Sequence, residues 1–420
     1  MFYLLFVILE LIWLTFITEC SPHNRRCYLG TLAAQVKNLI EKPKKLEDVL
    51  LADALPLAGH SIFFHETSCP STINSITKKL PTAEPKKKKK NYGNYIELTA
   101  RQACSVESAA FHNSKTNVYV LYASPRYQLP NITADPILSA VLSYKNVHLR
   151  NVNMWTYAAT TPMYKWLKGG KLFKSSYVFS HVSDFLRYLT LWRWGGTYLD
   201  MDTIMLRSIE NMPPNFVGAE STYYLAAGVM NFAPDGFGHK ISKLCVSDFV
   251  RNFKGNNWAN NGPGVITRVM RKICDTETIA LMFDPKRCKG FYIFDRNIFY
   301  AISWEEWRDF FEPEKMEKTL GRIDQSYIAH LWNKISGDFP VKVGIKSAFT
   351  TMAANNCPHV ELTAREVCPV ESAAVRNPKT NLYVLYASPR YQLPNITVDP
   401  ILNSRNVNMW TYAATTPIYE

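Results

Sequence analysis

The sequence lacks several things, and each absence removes a class of protein. Nine cysteines occur in 420 residues, yet no two stand as Cys-x-x-Cys, so zinc-site spacing is missing. There is no RNA-binding signature and no stripe of interleaved basic and aromatic residues. The excess of 48 Lys+Arg over 35 Asp+Glu therefore argues for a basic surface and against a nucleic-acid partner. Part of that excess is one run, Lys86 to Lys90, which has the look of a nuclear signal; behind an apolar N-terminus it reads as a solvated loop. A later acidic cluster with a lysine after a strand is also missing, and with it the constellation of an aspartate-nucleophile phosphohydrolase.

One long apolar run is present, Phe2 to Ile17, interrupted by Glu10. With its flanks it is about 18 residues, near the lower limit for a membrane span. No small-x-small cleavage site follows, so residues 1–19 read as a signal-anchor rather than a removed signal peptide. The flanking charge conflicts with an inward N-terminus: Arg25 and Arg26 follow the run and no Lys or Arg precedes it. Residues 20–58 read as a stem, with an amphipathic helix over Leu32–Leu51. Behind such a start the compartment is oxidising and cysteines pair; Cys69–Cys104 and Cys274–Cys288 are the expected bridges, although spacing does not fix connectivity.

The composition, 47% hydrophobic and 20% charged, is that of a globular chain. Short β-branched and aromatic runs alternate with helical patterns. Ser61–Phe64, Val118–Leu121 and Val147–Val152 read as strands, and Arg101–Ala110 as a helix. That alternation predicts parallel βαβ units, whose ligands sit at the carboxyl ends of strands. His65 and Glu66 close the first strand and read as nucleotide neighbours or as structural residues. Asn131-Ile132-Thr133 is a glycosylation sequon if the domain is lumenal.

The most informative stretch is Ser180–Leu206, SHVSDFLRYLTLWRWGGTYLDMDTIML. Val182, Phe185, Leu186, Leu189 and Trp192 recur at helical spacing, and a Ser or Asp near the start suits an N-cap. Asp184 and Arg187, three apart, share a face. Gly195-Gly196 ends the helix. Thr197–Leu199 then reads as a short buried strand that delivers Asp200-Met201-Asp202. Two carboxylates one residue apart point the same way in an extended segment, and paired hard oxygens suit Mg²⁺ or Mn²⁺ shared with a substrate phosphate. Asp-x-Asp alone is a common loop tripeptide; its setting here gives it weight.

That setting resembles the donor-binding core of glycosyltransferases with a Rossmann-like, GT-A type α/β domain and a mostly parallel central sheet. It is similar in particular to the α1,4-glycosyltransferase family of lactosylceramide galactosyltransferases and α1,4-N-acetylglucosaminyltransferases. FFHETS after Ser61, Ala227–Asn231 and HLWN at His330–Asn333 resemble further family segments. The resemblance spans residues 59–348 and implies a set of roles. Asp184 and Arg187 bind the donor sugar. Asp200, Asp202 and a late histidine, His330, hold Mn²⁺ on a UDP-sugar, imidazole suiting a borderline ion. Asn231 either lines the sugar site or caps a turn. Arg268 and Arg271, on a helix over Val265–Ile273, read as solvated, and Trp304 and Trp307 as core or as an acceptor-facing wall. The implied reaction is transfer to a glycolipid acceptor of the lactosylceramide type in α1,4 linkage with retention, in the Golgi lumen, with no protein nucleophile nominated. The alternative is an inactive, membrane-tethered binder of sugar nucleotides or glycans.

Residues 349–420 complete the chain, and within them His359 to Tyr419 repeats Tyr95 to Tyr164 almost verbatim. Nine residues around Val141 to Leu149 are missing from the second copy. It ends before any helix–Gly-Gly–Asp-x-Asp unit, so it carries no chemistry alone, and as an incomplete α/β unit it leaves strand edges unpaired.

Overall fold

The computed structural model describes residues 45–68, 95–123, 127–130, 132, 135–339, 341 and 345–360, with two strands nearer the C-terminus. The proposed membrane run, most of the stem, Cys69, the lysine run, Asn131 and most of the repeat lie outside the described residues. Among the described residues, no helix is long and apolar enough to cross a membrane.

Nine strands build the described body: β1 Ser61–Glu66, β2 Asn117–Tyr122, β3 Val147–Asn151, β4 Gly196–Leu199, β5 Thr203–Met205, β6 Phe216–Ala219, β7 Leu225–Phe232, β8 Tyr292–Phe294 and β9 Ile328–His330. Seven form one sheet in the order β3-β2-β1-β4-β7-β6-β8. Pairing is parallel from β3 to β4 and again between β6 and β8, and only β7 runs against the rest. The expected mostly parallel sheet is therefore present.

The strands are apolar on both faces because both faces are covered. Alternate residues of β1 serve two cores. Phe63 packs with Phe185 and Leu189 of the helix Val178–Trp194. Ile62 and Phe64 pack with Ala103, Val106 and Ala110 of the helix Ala100–His112. From β1 the chain winds outward through β2 to β3, then returns to place β4 on the other side of β1. The crevice where the winding reverses is where open α/β sheets bind ligands.

The start of the long helix differs from expectation, and its end is as expected. The helix begins at Val178 behind Tyr177, without a side-chain cap bond. The Ser175 hydroxyl instead accepts the Tyr177 N–H at 2.9 Å, so Ser180 and Asp184 lie inside the helix. At the other end, Gly195 and Gly196 take φ of +60° and +77°, and a Cβ on Gly196 would stand 2.4 Å from the Ser61 carbonyl oxygen. Glycine is thus needed both for the turn and for the approach of β4 to β1.

Among the described residues the bridges are Cys104–Cys357 and Cys274–Cys288. The second is as expected; the first replaces Cys69–Cys104, because the helix Ala348–Asn356 lies against Ala100–His112 and brings Cys357 to Cys104. Beside the bridge, the buried Glu107 carboxylate accepts the N–H groups of His359 and Val360, each at 2.9 Å. The packed body therefore includes residues up to 360, and with them the beginning of the repeat.

Farther along, Leu382–Tyr386 pairs in parallel with Val407–Thr411. The first strand matches β2. The second, VNMWT, has the sequence that leads into the helix Met154–Ala158 in the first copy. The missing residues include most of β3, so the next extended segment takes its place beside the β2 equivalent.

Non-reducing peptide mapping is expected to recover Cys104–Cys357 and Cys274–Cys288, with Cys245, buried and free, as an unpaired thiol. Cys357→Ser should lower stability by about 2–5 kcal/mol in a denaturant melt; an unchanged midpoint would show that the C-terminal helix is not held this way.

Candidate functional site

The carboxyl end of β4 carries the chain straight into Asp200-Met201-Asp202, whose position is fixed from three sides. The Asp200 N–H donates to the Gly228 carbonyl on β7 at 2.8 Å. The Ser105 hydroxyl donates to the Met201 carbonyl at 2.9 Å. β5 then pairs antiparallel with β9, setting Thr203 opposite His330, and the Leu331 N–H donates to the Asp202 carbonyl at 2.7 Å. This two-stranded ribbon is what carries a histidine 128 positions later onto the aspartate pair.

His330 Nε2 lies 3.3 Å from Asp202 Oδ1 and 3.6 Å from Asp200 Oδ2. One ligand atom from each of the three residues falls within 4.8 Å of the others. The second Asp202 oxygen accepts the Asn333 N–H at 2.7 Å, and the Trp332 N–H donates to His330 Nδ1 at 3.3 Å. Burial works to lower the His330 pKa, but the Asp202 and Asp200 carboxylates outweigh it and the net shift is upward. Burial raises the Asp202 carboxyl. The three side chains thus enclose a point that favours positive charge. Two carboxylates and one imidazole are a donor set that fits a divalent ion of the Mn²⁺ kind. Gly228 leaves it room: a Cβ there would come within 2.7 Å of Asp200 Oδ2 and 3.2 Å of His330 Nε2.

The long helix supplies the other half of the cluster. Arg187 Nη2 lies 3.1 Å from Asp200 Oδ1 and 3.4 Å from Asp184 Oδ1. Its Nη1 donates to the Ala227 carbonyl at 2.7 Å, and Nη2 to the Ser183 hydroxyl at 3.1 Å. The guanidinium sits over the Tyr198 ring at 4.7 Å, and the Tyr198 hydroxyl donates to Asp200 Oδ1 at 2.7 Å. Burial works to raise the Asp200 carboxyl, yet Arg187 overcomes it and holds the group down at about 2. Asp184 goes the other way: burial pushes it up to about 7 despite Arg187. A Cβ on Gly262 would fall 2.4 Å from Asp184 Oδ1, so a second glycine admits this carboxylate.

Five of the six expected site residues therefore converge. Asn231 does not. It sits opposite Thr197 near the start of β4, its amide donating to the Thr197 hydroxyl at 2.8 Å and its oxygen accepting the Asn215 N–H at 2.9 Å. It ties strands together away from the cluster. His65 and Glu66 prove structural in their contacts. His65 Nε2 is 3.0 Å from the Thr190 hydroxyl, and burial, aided by the Arg187 charge, pushes its pKa down to about 3, so it is neutral. Glu66 accepts from Gln102 and from the Ser68 N–H. Arg268 and Arg271, read as solvated, are paired with Asp248 at 2.5 Å and Glu277 at 3.0 Å.

Sequence reasoning overlooked the residues that hold the cluster: Tyr198, Ser183, Asn333 and Arg101. Arg101 donates to Asn333 Oδ1 at 3.1 Å and to the Ser336 carbonyl at 2.8 Å, bracing the turn behind Asp202. Three of these carried a signal: Ser183 and Tyr198 flank the Asp184–Arg187 face and the aspartate pair in sequence, and Asn333 closes the HLWN segment. Arg101 carried none, since its partners lie over 200 residues away.

An α/β sheet with two carboxylates, one imidazole and a buried Asp–Arg pair gathered at its switch point has the build of an enzyme that works on a ligand held at the carboxyl ends of its strands. Comparison with known proteins narrows that class to hexosyl transfer. Residues 94–222 match the description "Glycosyltransferase sugar-binding region containing DXD motif", and residues 234–364 match "Alpha 1,4-glycosyltransferase conserved region". The chain is 30% identical over 259 residues to lactosylceramide 4-alpha-galactosyltransferase of Rattus norvegicus, covering 61% of this chain and 69% of that one. It is 27% identical over 259 residues to alpha-1,4-N-acetylglucosaminyltransferase of Homo sapiens, covering 61% and 74%. Among solved structures, the PaToxG glycosyltransferase matches with a TM-score of 0.34 and 13% identity over 72% of this chain and 98% of that one. The chain belongs to the α1,4-glycosyltransferase family and is a hexosyltransferase of the lactosylceramide galactosyltransferase type.

Gly228→Ala is expected to lower divalent-cation affinity by roughly 10–100-fold, read by titration calorimetry, with near-ultraviolet circular dichroism retained. Unchanged affinity would move the cation away from Asp200 and His330.

Proposed function

We propose that the chain transfers galactose from UDP-galactose to a glycolipid of the lactosylceramide type, in α1,4 linkage with retention, using Mn²⁺. The observation that carries this reading is the convergence of Asp184, Arg187, Asp200, Asp202 and His330 at the switch point of a chain related to lactosylceramide galactosyltransferases.

The residues divide the work by chemistry. Asp200, Asp202 and His330 would hold the ion, which when bound neutralises charge on the leaving diphosphate. Arg187 is fixed by the Ala227 carbonyl and the Ser183 hydroxyl, so its charge is already in place before a donor arrives. Its Nε, buried and without a hydrogen-bond partner among the described residues, is left for a bound ligand. Asp184, held beside Arg187, presents a carboxyl for the hydroxyls of the donor sugar. Orienting the donor against an acceptor hydroxyl supplies the remaining rate enhancement. The proton of that hydroxyl goes to the leaving phosphate, and no protein nucleophile takes part. A signal-anchor over residues 1–19 would set the domain in the Golgi lumen beside its lipid acceptor, consistent with the two bridges.

The test is UDP release by the full chain, offered UDP-galactose, UDP-N-acetylgalactosamine and UDP-N-acetylglucosamine with lactosylceramide. Turnover should favour UDP-galactose, vanish with chelator, and drop about 10²–10³-fold in Asp202→Ala. A folded chain that binds none of the three donors would contradict the reading and leave the glycan binder.

A further inference from the structure

Two polar groups beside the cation site have no role in the chemistry above. Tyr300 is 1% exposed, and its hydroxyl has no hydrogen-bond partner among the described residues. Its ring packs on His330 at 5.5 Å and Trp332 at 5.9 Å. A Cβ on Gly228 would meet the Tyr300 hydroxyl at 3.2 Å together with Asp200 Oδ2 and His330 Nε2, so all three atoms face one space. A buried hydroxyl left without a partner is costly and calls for one.

The second group is Glu220, the residue after β6. Its N–H donates to the Tyr224 carbonyl at 3.0 Å in the β6–β7 hairpin. Its carboxylate, half-buried, makes no hydrogen bond or ion pair among the described residues; two residues back along the same strand a Cβ on Gly218 would stand 3.0 Å from the Tyr300 ring, so this end of β6 borders Tyr300. The same hairpin exposes Tyr223 (72%) and Tyr224 (44%). Trp304, 52% exposed, precedes Glu305, whose charge reaches Glu220.

The chemistry of these groups selects a ligand. A carboxylate only accepts hydrogen bonds and a phenol can donate one, while a sugar hydroxyl does both. Exposed aromatic faces offer apolar area to the C–H face of a pyranose. Two carboxylates, Glu220 and Glu305, repel an anionic diphosphate, which belongs instead with Arg187 and the cation. A neutral glycan is what remains. We propose that Glu220 and Tyr300 form the acceptor site: the Tyr300 hydroxyl donates to, and the Glu220 carboxylate accepts from, hydroxyls of the terminal acceptor sugar, with Tyr223, Tyr224 and Trp304 flanking it. The proposal rests on the transferase reading and adds its acceptor subsite. Trp304, 52% exposed, is not a core residue, and the proposal gives it a place in the acceptor wall.

The experiment is steady-state kinetics of the full chain with UDP-galactose and lactose as soluble acceptor, for wild type, Glu220→Gln, Tyr300→Phe and Trp304→Ala. Each variant should raise the KM for lactose about tenfold, leave the KM for UDP-galactose within about twofold, and melt within a few degrees of wild type. Trp304 is exposed, so its variant tests the site independently of folding. An unchanged lactose KM in all three overturns the proposal and leaves the transferase reading standing. A raised KM for UDP-galactose instead reassigns the groups to the donor and also overturns it. A wild-type chain that binds no UDP-sugar removes the reading and the proposal with it.

Discussion

The site depends on one buried charge, the guanidinium of Arg187, only 7% exposed between Asp184 and Asp200. Removing charges from water is costly unless they are paired and their remaining donors satisfied. Here Arg187 is paired twice and bonded to the Ala227 carbonyl and the Ser183 hydroxyl. Its field pulls both carboxyls down: it holds Asp200 near 2, while at Asp184 burial outweighs it and the group rises to about 7. An ionised Asp200 beside Asp202 is what suits the strand end to a cation. Truncating Arg187 would leave buried carboxylates uncompensated, which is costlier than losing a contact.

The sheet supplies the geometry in which this charge is useful. Reversal of winding between β1 and β4 opens the crevice, and the β5–β9 ribbon brings His330 across it. Three glycines are spent on closeness: Gly196 lets β4 approach β1, Gly228 clears the space before Asp200 and His330, and Gly262 admits Asp184. Behind them, Arg101 clamps the turn that donates the Asn333 N–H to Asp202. The Cys104–Cys357 bridge fastens the C-terminal helix to the helix that bears Arg101. Stability and site geometry thus share one scaffold, as a preorganised charge distribution requires.

Much of this was legible in the order of residues, and the rest was not, for physical reasons. Helical spacing marked Val178–Trp194 and put Asp184 and Arg187 on one face; apolar runs marked β1, β2 and β4; Asp-x-Asp after an apolar strand marked the cation site. These are local patterns, set by the periods of helix and strand. His330 came only through family resemblance, because nothing in its own neighbourhood announces a partner 128 residues upstream. Asn231 was left between lining the sugar site and capping a turn, since an asparagine near a site can as easily stitch strands, and here both its amide atoms are engaged by Thr197 and Asn215. The Cys104 partner was missed because a bridge 253 residues long depends on how the last helix folds back. The changed structure of VNMWT in the second copy makes the same point, since identical residues take different forms when their sheet neighbour is deleted.

The central claim is that a divalent ion and the donor diphosphate meet between Asp200, Asp202 and His330. The most direct test is anomalous diffraction at the manganese edge from crystals grown with MnCl₂ and UDP. One anomalous peak within coordination distance of all three side chains, with a UDP phosphate oxygen on the same ion, is the expected result. UDP bound with no ion between these residues, or an ion held elsewhere on the chain, would contradict it.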